Sequence, residues 1–107
     1  MGKTEDKIEK YIAVIKNQLD VELIVIFGSY LTDRFSAESD IDMLIVASEF
    51  SKMSKLEAFK ILSKPIWDLR INVDPIPAAP AEMKDYKRAS FLYQIMNTGR
   101  VLYPKSA

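Results

Sequence analysis

Near the start of the chain, apolar positions recur at spacings of three and four: Ile8, Tyr11, Ile12, Ile15 and Leu19. That is one face of an amphipathic helix over about Thr4 to Leu19. Thr4 is its cap, and Glu5 and Asp6 suit the positive end of the helix dipole. The pattern then changes. Val21, Leu23, Ile24, Val25, Ile26 and Phe27 make a nearly unbroken apolar run, as expected of a strand buried on both faces. The run breaks at Gly28-Ser29, and a short helix is predicted over Tyr30 to Phe35, followed by a polar loop over Ser36 to Ser39. A second apolar run, Ile41 to Ala47, predicts a second strand.

Beyond it, Leu56, Phe59, Ile61 and Leu62 predict a helix over Ser54 to Leu62 with those four turned inward and Pro65 past its end. Leu69, Ile71 and Val73 alternate with Asp68, Arg70, Asn72 and Asp74, so a third strand is expected over Trp67 to Ile76. Pro75, Pro77 and Pro80 are expected to stop it in a rigid turn. Trp67 is expected to pack. Ala81 to Asn97 carries one or two helices with Phe91, Leu92, Ile95 and Met96 buried. Gly99 is a helix stop, and Arg100 to Tyr103 is a short final strand. Helices alternate with strands, which predicts an α/β (α+β) fold: a small mixed sheet of three to four strands covered by helices.

Composition narrows the chemistry. With 107 residues, 1–107 reads as one domain. Fifteen basic residues balance fifteen acidic ones, which disfavours nucleic acid as a partner. There is no cysteine and no histidine, so thiolate, zinc-thiolate and imidazole chemistry are excluded. Any reaction must run on carboxylates, hydroxyls, Lys, Arg and a hard metal ion. No apolar stretch approaches the ~18 residues of a membrane span, and the first residues lack a signal's apolar segment. The expected location is cytoplasmic.

Ten residues separate Gly28-Ser29 from Asp40-Ile41-Asp42. Gly28 ends a strand, where a missing Cβ lets a ligand approach. Ser29 can cap the next turn and offer its hydroxyl and amide to a phosphate. Alone, the pair also reads as an ordinary capped turn. Asp40 and Asp42, two apart at the mouth of a strand, point the same way and repel unless a cation lies between them. Alone, they also read as a solvated acidic pair. A third carboxylate adds weight. Asp74, near the end of the third strand and just before Pro75, is preferred to Asp68 at the strand's other end. If that strand lies beside the second, Asp74 meets Asp40 and Asp42. Alone, it also reads as a solvated residue or a partner for Arg70. Three carboxylates can hold two Mg2+ ions ~4 Å apart, the clamp for in-line phosphoryl displacement. Asp74 can also take a proton from an acceptor hydroxyl.

These features resemble the minimal nucleotidyltransferases of the DNA polymerase beta superfamily. The motifs are Gly28-Ser29, the ten-residue gap, Ser39-Asp40-Ile41-Asp42, the later Asp74 and the closing Gly99-Arg100-Val101-Leu102-Tyr103. The resemblance implies that Gly28 and Ser29 hold a nucleoside triphosphate, with ATP as substrate. It implies that Asp40, Asp42 and Asp74 are catalytic and ligate two Mg2+ ions, and that AMP passes to an acceptor hydroxyl. Larger relatives add a substrate-binding domain, so a partner protein is expected here. Members of this minimal group are similar to antitoxins paired with HEPN-domain toxins. The turn Tyr30-Leu31-Thr32-Asp33 lacks the arginines and glycine common in the family. Arg34 could supply a compensating charge, with Lys52 and Lys55 as further candidates for the phosphates; all three also read as ordinary solvated cations. Tyr30 could stack on a base or cap the core. A homodimer through sheet edges is an added expectation. The alternative is a non-catalytic partner-binding module with a vestigial nucleotide site.

Overall fold

The computed structural model describes residues 3–31, 40–84, 86–87 and 90–104. The expectations for Arg34, for Thr32 and Asp33 and for the polar loop at 36–39 lie outside the described residues. Helix α1 (Lys3–Gln18) leads into β1 (Val21–Phe27), which ends in a short 3-10 turn at Gly28–Leu31. Strand β2 (Ile41–Ala47) is followed by a 3-10 turn, then α2 (Lys55–Leu69) and β3 (Val73–Ala78). A 3-10 turn at Pro80–Met83 precedes α3 (Phe91–Thr98) and β4 (Arg100–Tyr103). The sheet runs β3-β2-β1-β4, with β2 and β3 parallel and the other pairs antiparallel.

Residues alternate between the two faces of a strand, and each face has its own core. On one side Ile24, Ile26, Met43 and Ile45 pack against Ile8, Tyr11 and Ile15 of α1 and Leu62 of α2. On the other, Val25, Phe27, Leu44 and Val46 pack against Ile95 of α3. The buried Tyr11 hydroxyl donates to the Leu62 carbonyl at 2.8 Å and pins α1 to α2. Burial pushes that phenol above its ordinary pKa. No described helix is long and apolar enough to cross a membrane.

The structure corrects the reading between Ser54 and Pro80. Helix α2 continues through Pro65 to Leu69. Pro65 removes one backbone donor, but its ring is buried on the core side, in line with Ala58 and Leu62. Ser54 caps the helix in a reciprocal box with Glu57. The inward face is Ala58, Leu62, Pro65 and Leu69, which leaves Leu56, Phe59 and Trp67 exposed rather than packed. The helix stops at Arg70 in the left-handed conformation. Asp68 and Arg70 are therefore not strand residues. Strand β3 starts only at Val73 and includes both Pro75 and Pro77. It tolerates them because it is an edge strand. Asn72 turns its carbonyl toward Ile41 N (2.7 Å), so positions 75 and 77 face the open side, where no ladder donor is needed. Phe91, expected inside, is exposed, while Ile95 is buried as read. Gly99 does follow α3, and what holds it there is space. A Cβ would press on Val25 and on the Ile95 and Ile26 carbonyls.

Candidate functional site

The ends of β1, β2 and β3 meet at one pole of the sheet. Phe27 lies opposite Asp42 in the β1–β2 pairing. Asp42 lies opposite Asp74 in the parallel β2–β3 pairing. Asp42 therefore shares a sheet face with Leu44 and Val46, and Asp74 shares it with Ile76. Asp40 precedes β2 and is exposed, as is Asp74, while Asp42 is half-buried. This convergence follows from topology. A parallel β2–β3 pair brings both N-terminal ends to the same pole, and that pole is also where β1 ends.

Gly28 is built into the arrangement. Its φ is +77°, a region that side chains avoid, and a Cβ there would collide with Asp42 Oδ2. The turn after β1 thus lies directly against the Asp42 carboxylate. Ser29 continues that turn, and the role read for its hydroxyl lies outside the described residues.

Burial raises the pKa of Asp42, and the nearby charges of Asp74 and Asp40 push it the same way. The three acids thus share one field and repel. Among the described residues no hydrogen-bond or ion-pair donor answers these carboxylates. Nor are three acidic side chains already gathered around one point closely enough to hold a metal ion. The donor set itself, carboxylate oxygens in mutual repulsion, is of the kind that suits Mg2+.

The lysine expectations fare differently. Lys55 is committed elsewhere: its Nζ donates to the Pro77 carbonyl (2.9 Å) and pairs with Glu82 (3.0 Å), at the far end of β3. Burial alone would raise the Glu82 pKa, yet the Ala79 amide and Lys55 hold it below the usual range. Tyr30 packs half-buried against the α1-side core. Reading the sequence missed the groove beside the acids. About 390 Å3 in volume, it is lined by Asp40, Phe59, Ile66, Trp67, Asp74 and Pro75. The wrong inward face assigned to α2 hid it. A separate cavity of about 340 Å3, between Glu5, Ile8, Tyr30 and Arg100, does not touch the acids.

Residues 9–107 match the family model described as polymerase beta, nucleotidyltransferase. No curated protein sequence matches the chain. Solved structures share the fold. One is the MNT antitoxin complex with tri-AMPylated HEPN toxin of Shewanella oneidensis, with a TM-score of 0.65 at 19% identity over 95% of this chain and 73% of that one. A toxin–antitoxin structure with AMP-PNP gives 0.67 at 21% identity, over 95% and 74% of the two chains. A Sulfolobus solfataricus protein suggested to be a nucleotidyltransferase gives 0.57 at 24%, over 96% and 91%. The mixed sheet with its helices is thus a nucleotidyltransferase-like fold.

Proposed function

This chain belongs to the polymerase beta nucleotidyltransferase family, and on that premise we propose that it transfers AMP from ATP to a hydroxyl of a partner protein. The observation that carries the reading is the register of Asp42 beside Asp74, with Gly28 packed on the Asp42 carboxylate. Asp40, Asp42 and Asp74 would hold two Mg2+ ions, and Gly28 and Ser29 would seat the triphosphate, with Arg34 beside them. Bound Mg2+ would offset phosphate charge and polarise the α-phosphoryl group.

The chain's own residues do the rest. The turn at Gly28 packs on the Asp42 carboxylate, which would set its backbone amides beside the metal ligands, where the triphosphate would lie. Asp74 accepts the proton of the acceptor hydroxyl as its oxygen bonds to the α-phosphorus. The bond from that phosphorus to the bridging oxygen breaks, and pyrophosphate leaves. The partner is inferred from the two toxin–antitoxin neighbours, one of which holds an AMPylated HEPN toxin. It would be a HEPN-domain protein encoded beside this chain, which would make the chain an antitoxin acting in the cytoplasm.

The test is incubation of the protein with labelled ATP, Mg2+ and that HEPN protein. Label should appear on the HEPN protein and vanish with the double variant Asp40→Asn/Asp42→Asn. Full transfer by the double variant would refute the mechanism, and label on RNA alone would refute the acceptor. A second reading, a partner-binding module without transfer, draws on the acids not being gathered around one point. It predicts no ATP binding in calorimetry and partner binding that Asp40→Ala leaves unchanged.

A further inference from the structure

Helix α2 carries large apolar side chains on the face it turns away from the core. Leu56 is 64% exposed, Phe59 45% and Trp67 80%. At roughly 100° per residue, positions 56, 59, 63 and 67 fall on one side of the helix. Three large apolar groups in a row on a small protein mark a contact surface rather than chance exposure. The stripe is also continuous with the acidic pole: Phe59 and Trp67 line the same groove as Asp40 and Asp74. Whatever covers the stripe lies beside Asp40 and Asp74, while Asp42, on the α3 side of the sheet, is not part of the groove.

Two observations define the occupant. The groove's other wall is β3, and its open edge is blunted against strand addition. Pro75 and Pro77 lack the outward donors, and the Pro77 carbonyl already accepts from Lys55. An occupant must therefore dock by side chains, as a helix laying an apolar face into a groove does. Lys60 and Lys64 flank Leu56 and Trp67 on the helix, with Glu57 and Asp68 beyond them. Lys60 feels the Glu57 charge and Lys64 makes a 3.4 Å contact with Asp68, both solvated and weak. The stripe thus complements an apolar helix with an acidic border.

We propose that the outer face of α2, Leu56, Phe59 and Trp67 flanked by Lys60 and Lys64, docks an amphipathic, acidic-bordered helix of the acceptor protein and so delivers its hydroxyl to Asp40 and Asp74. The assignment of that occupant rests on the transfer reading above. Trp67 is the central anchor, since interface energy concentrates in buried aromatics.

The test measures two bindings separately by calorimetry, with the full chain. The probes are the HEPN protein encoded beside it, and ATP with Mg2+. Trp67→Ala should weaken HEPN binding ~30-fold and leave ATP binding within about twofold. Lys60→Glu/Lys64→Glu should weaken HEPN binding several-fold and reduce its salt dependence. Because Trp67, Lys60 and Lys64 are exposed, these variants should fold, which circular dichroism checks. HEPN binding unchanged by Trp67→Ala, or absent in the wild-type chain, would overturn the proposal. So would a homodimer in sedimentation that Trp67→Ala dissolves, because the stripe would then be covered by a second copy. If ATP fails to bind but Trp67→Ala still weakens the HEPN complex, the transfer reading falls and the docking surface stands.

Discussion

The sheet has an acidic cluster at each end, and the two are built on opposite principles. At the end where β1 begins and β2 finishes, Asp20, Glu22 and Glu49 stand together around two donors, the Asp20 amide and the one Ser48 hydroxyl. The Asp20 amide donates to both Glu49 oxygens at 2.9 Å. The Ser48 hydroxyl lies 3.0 Å from Asp20 and 3.1 Å from Glu22, and the Ser48 amide donates to the Asp20 carbonyl. At the other end, Asp40, Asp42 and Asp74 have, among the described residues, one another. Burial raises Asp42 and its two acidic neighbours raise it further. Acids answered by amides and hydroxyls hold a turn in place. Acids answered only by acids lower the stability of the fold and raise its affinity for cations. The same residue types thus serve structure at one pole and, on our reading, chemistry at the other.

The sharpest way to break this comparison is to neutralise one acid at each pole. Asp42→Asn should reduce transfer to the HEPN protein by 100- to 1000-fold or more, the loss typical of removing one charge-stabilising group. It should leave the fold intact. Glu49→Ala should do the reverse. Transfer should stay within about twofold, while stability falls by roughly 1–2 kcal/mol, read as a lower midpoint in urea. Equal loss of transfer in both variants would erase the distinction between the poles.

Gly28→Ala is the next largest. The added methyl group meets Asp42 Oδ2 in a backbone conformation that alanine adopts at a cost. Asp42 must swing away, so transfer should fall ~10- to 100-fold, with stability down by about 1–2 kcal/mol. Double substitution with Asp42→Ala should recover much of the stability and none of the transfer. If Gly28→Ala transfers at the wild-type rate, the packing of the turn on the carboxylate is incidental.

How much of this was readable beforehand depends on what each segment packs against. Strands β1 and β2 lie in the middle of the sheet with both faces buried, so their apolar runs matched their bounds, Val21–Phe27 and Ile41–Ala47. The alternation puts Asp74 near the end of a strand opening at Trp67, whereas β3 opens only at Val73, so Asp74 lies near its start and meets Asp42 through a parallel pairing. Helix α2 misled because its apolar residues serve two surfaces. Ala58, Leu62 and Pro65 face the core, and Leu56, Phe59 and Trp67 face outward. No periodicity separates a buried stripe from an exposed one of similar composition. Polar Asp68, Arg70, Asn72 and Asp74 alternate at period two across a helix end, a left-handed cap and a strand start, which is coincidence of spacing. Prolines at 75 and 77 looked like terminators, since nothing local announces an edge strand whose open side needs no donors.

The smallest expected effect is the dependence of stability on pH. Asp42 has a folded-state pKa above its unfolded one. In the window between the ordinary carboxylate range and the raised value, the folded chain therefore binds more protons than the unfolded chain. Stability must fall as pH rises through that window and level off above it. Asp42→Asn removes this contribution. The variant should melt above the wild type near neutral pH, and the gap should close as pH drops below the ordinary carboxylate range, as thermal scans from about pH 3 to pH 8 would read. Magnesium should narrow the same gap at neutral pH, because a cation that binds the ionised acids stabilises the folded wild type by mass action and offers little to the amide. A gap of constant size across the scan would mean that Asp42 feels neither its burial nor its two neighbours, and the contrast between the poles would then lose its electrostatic basis.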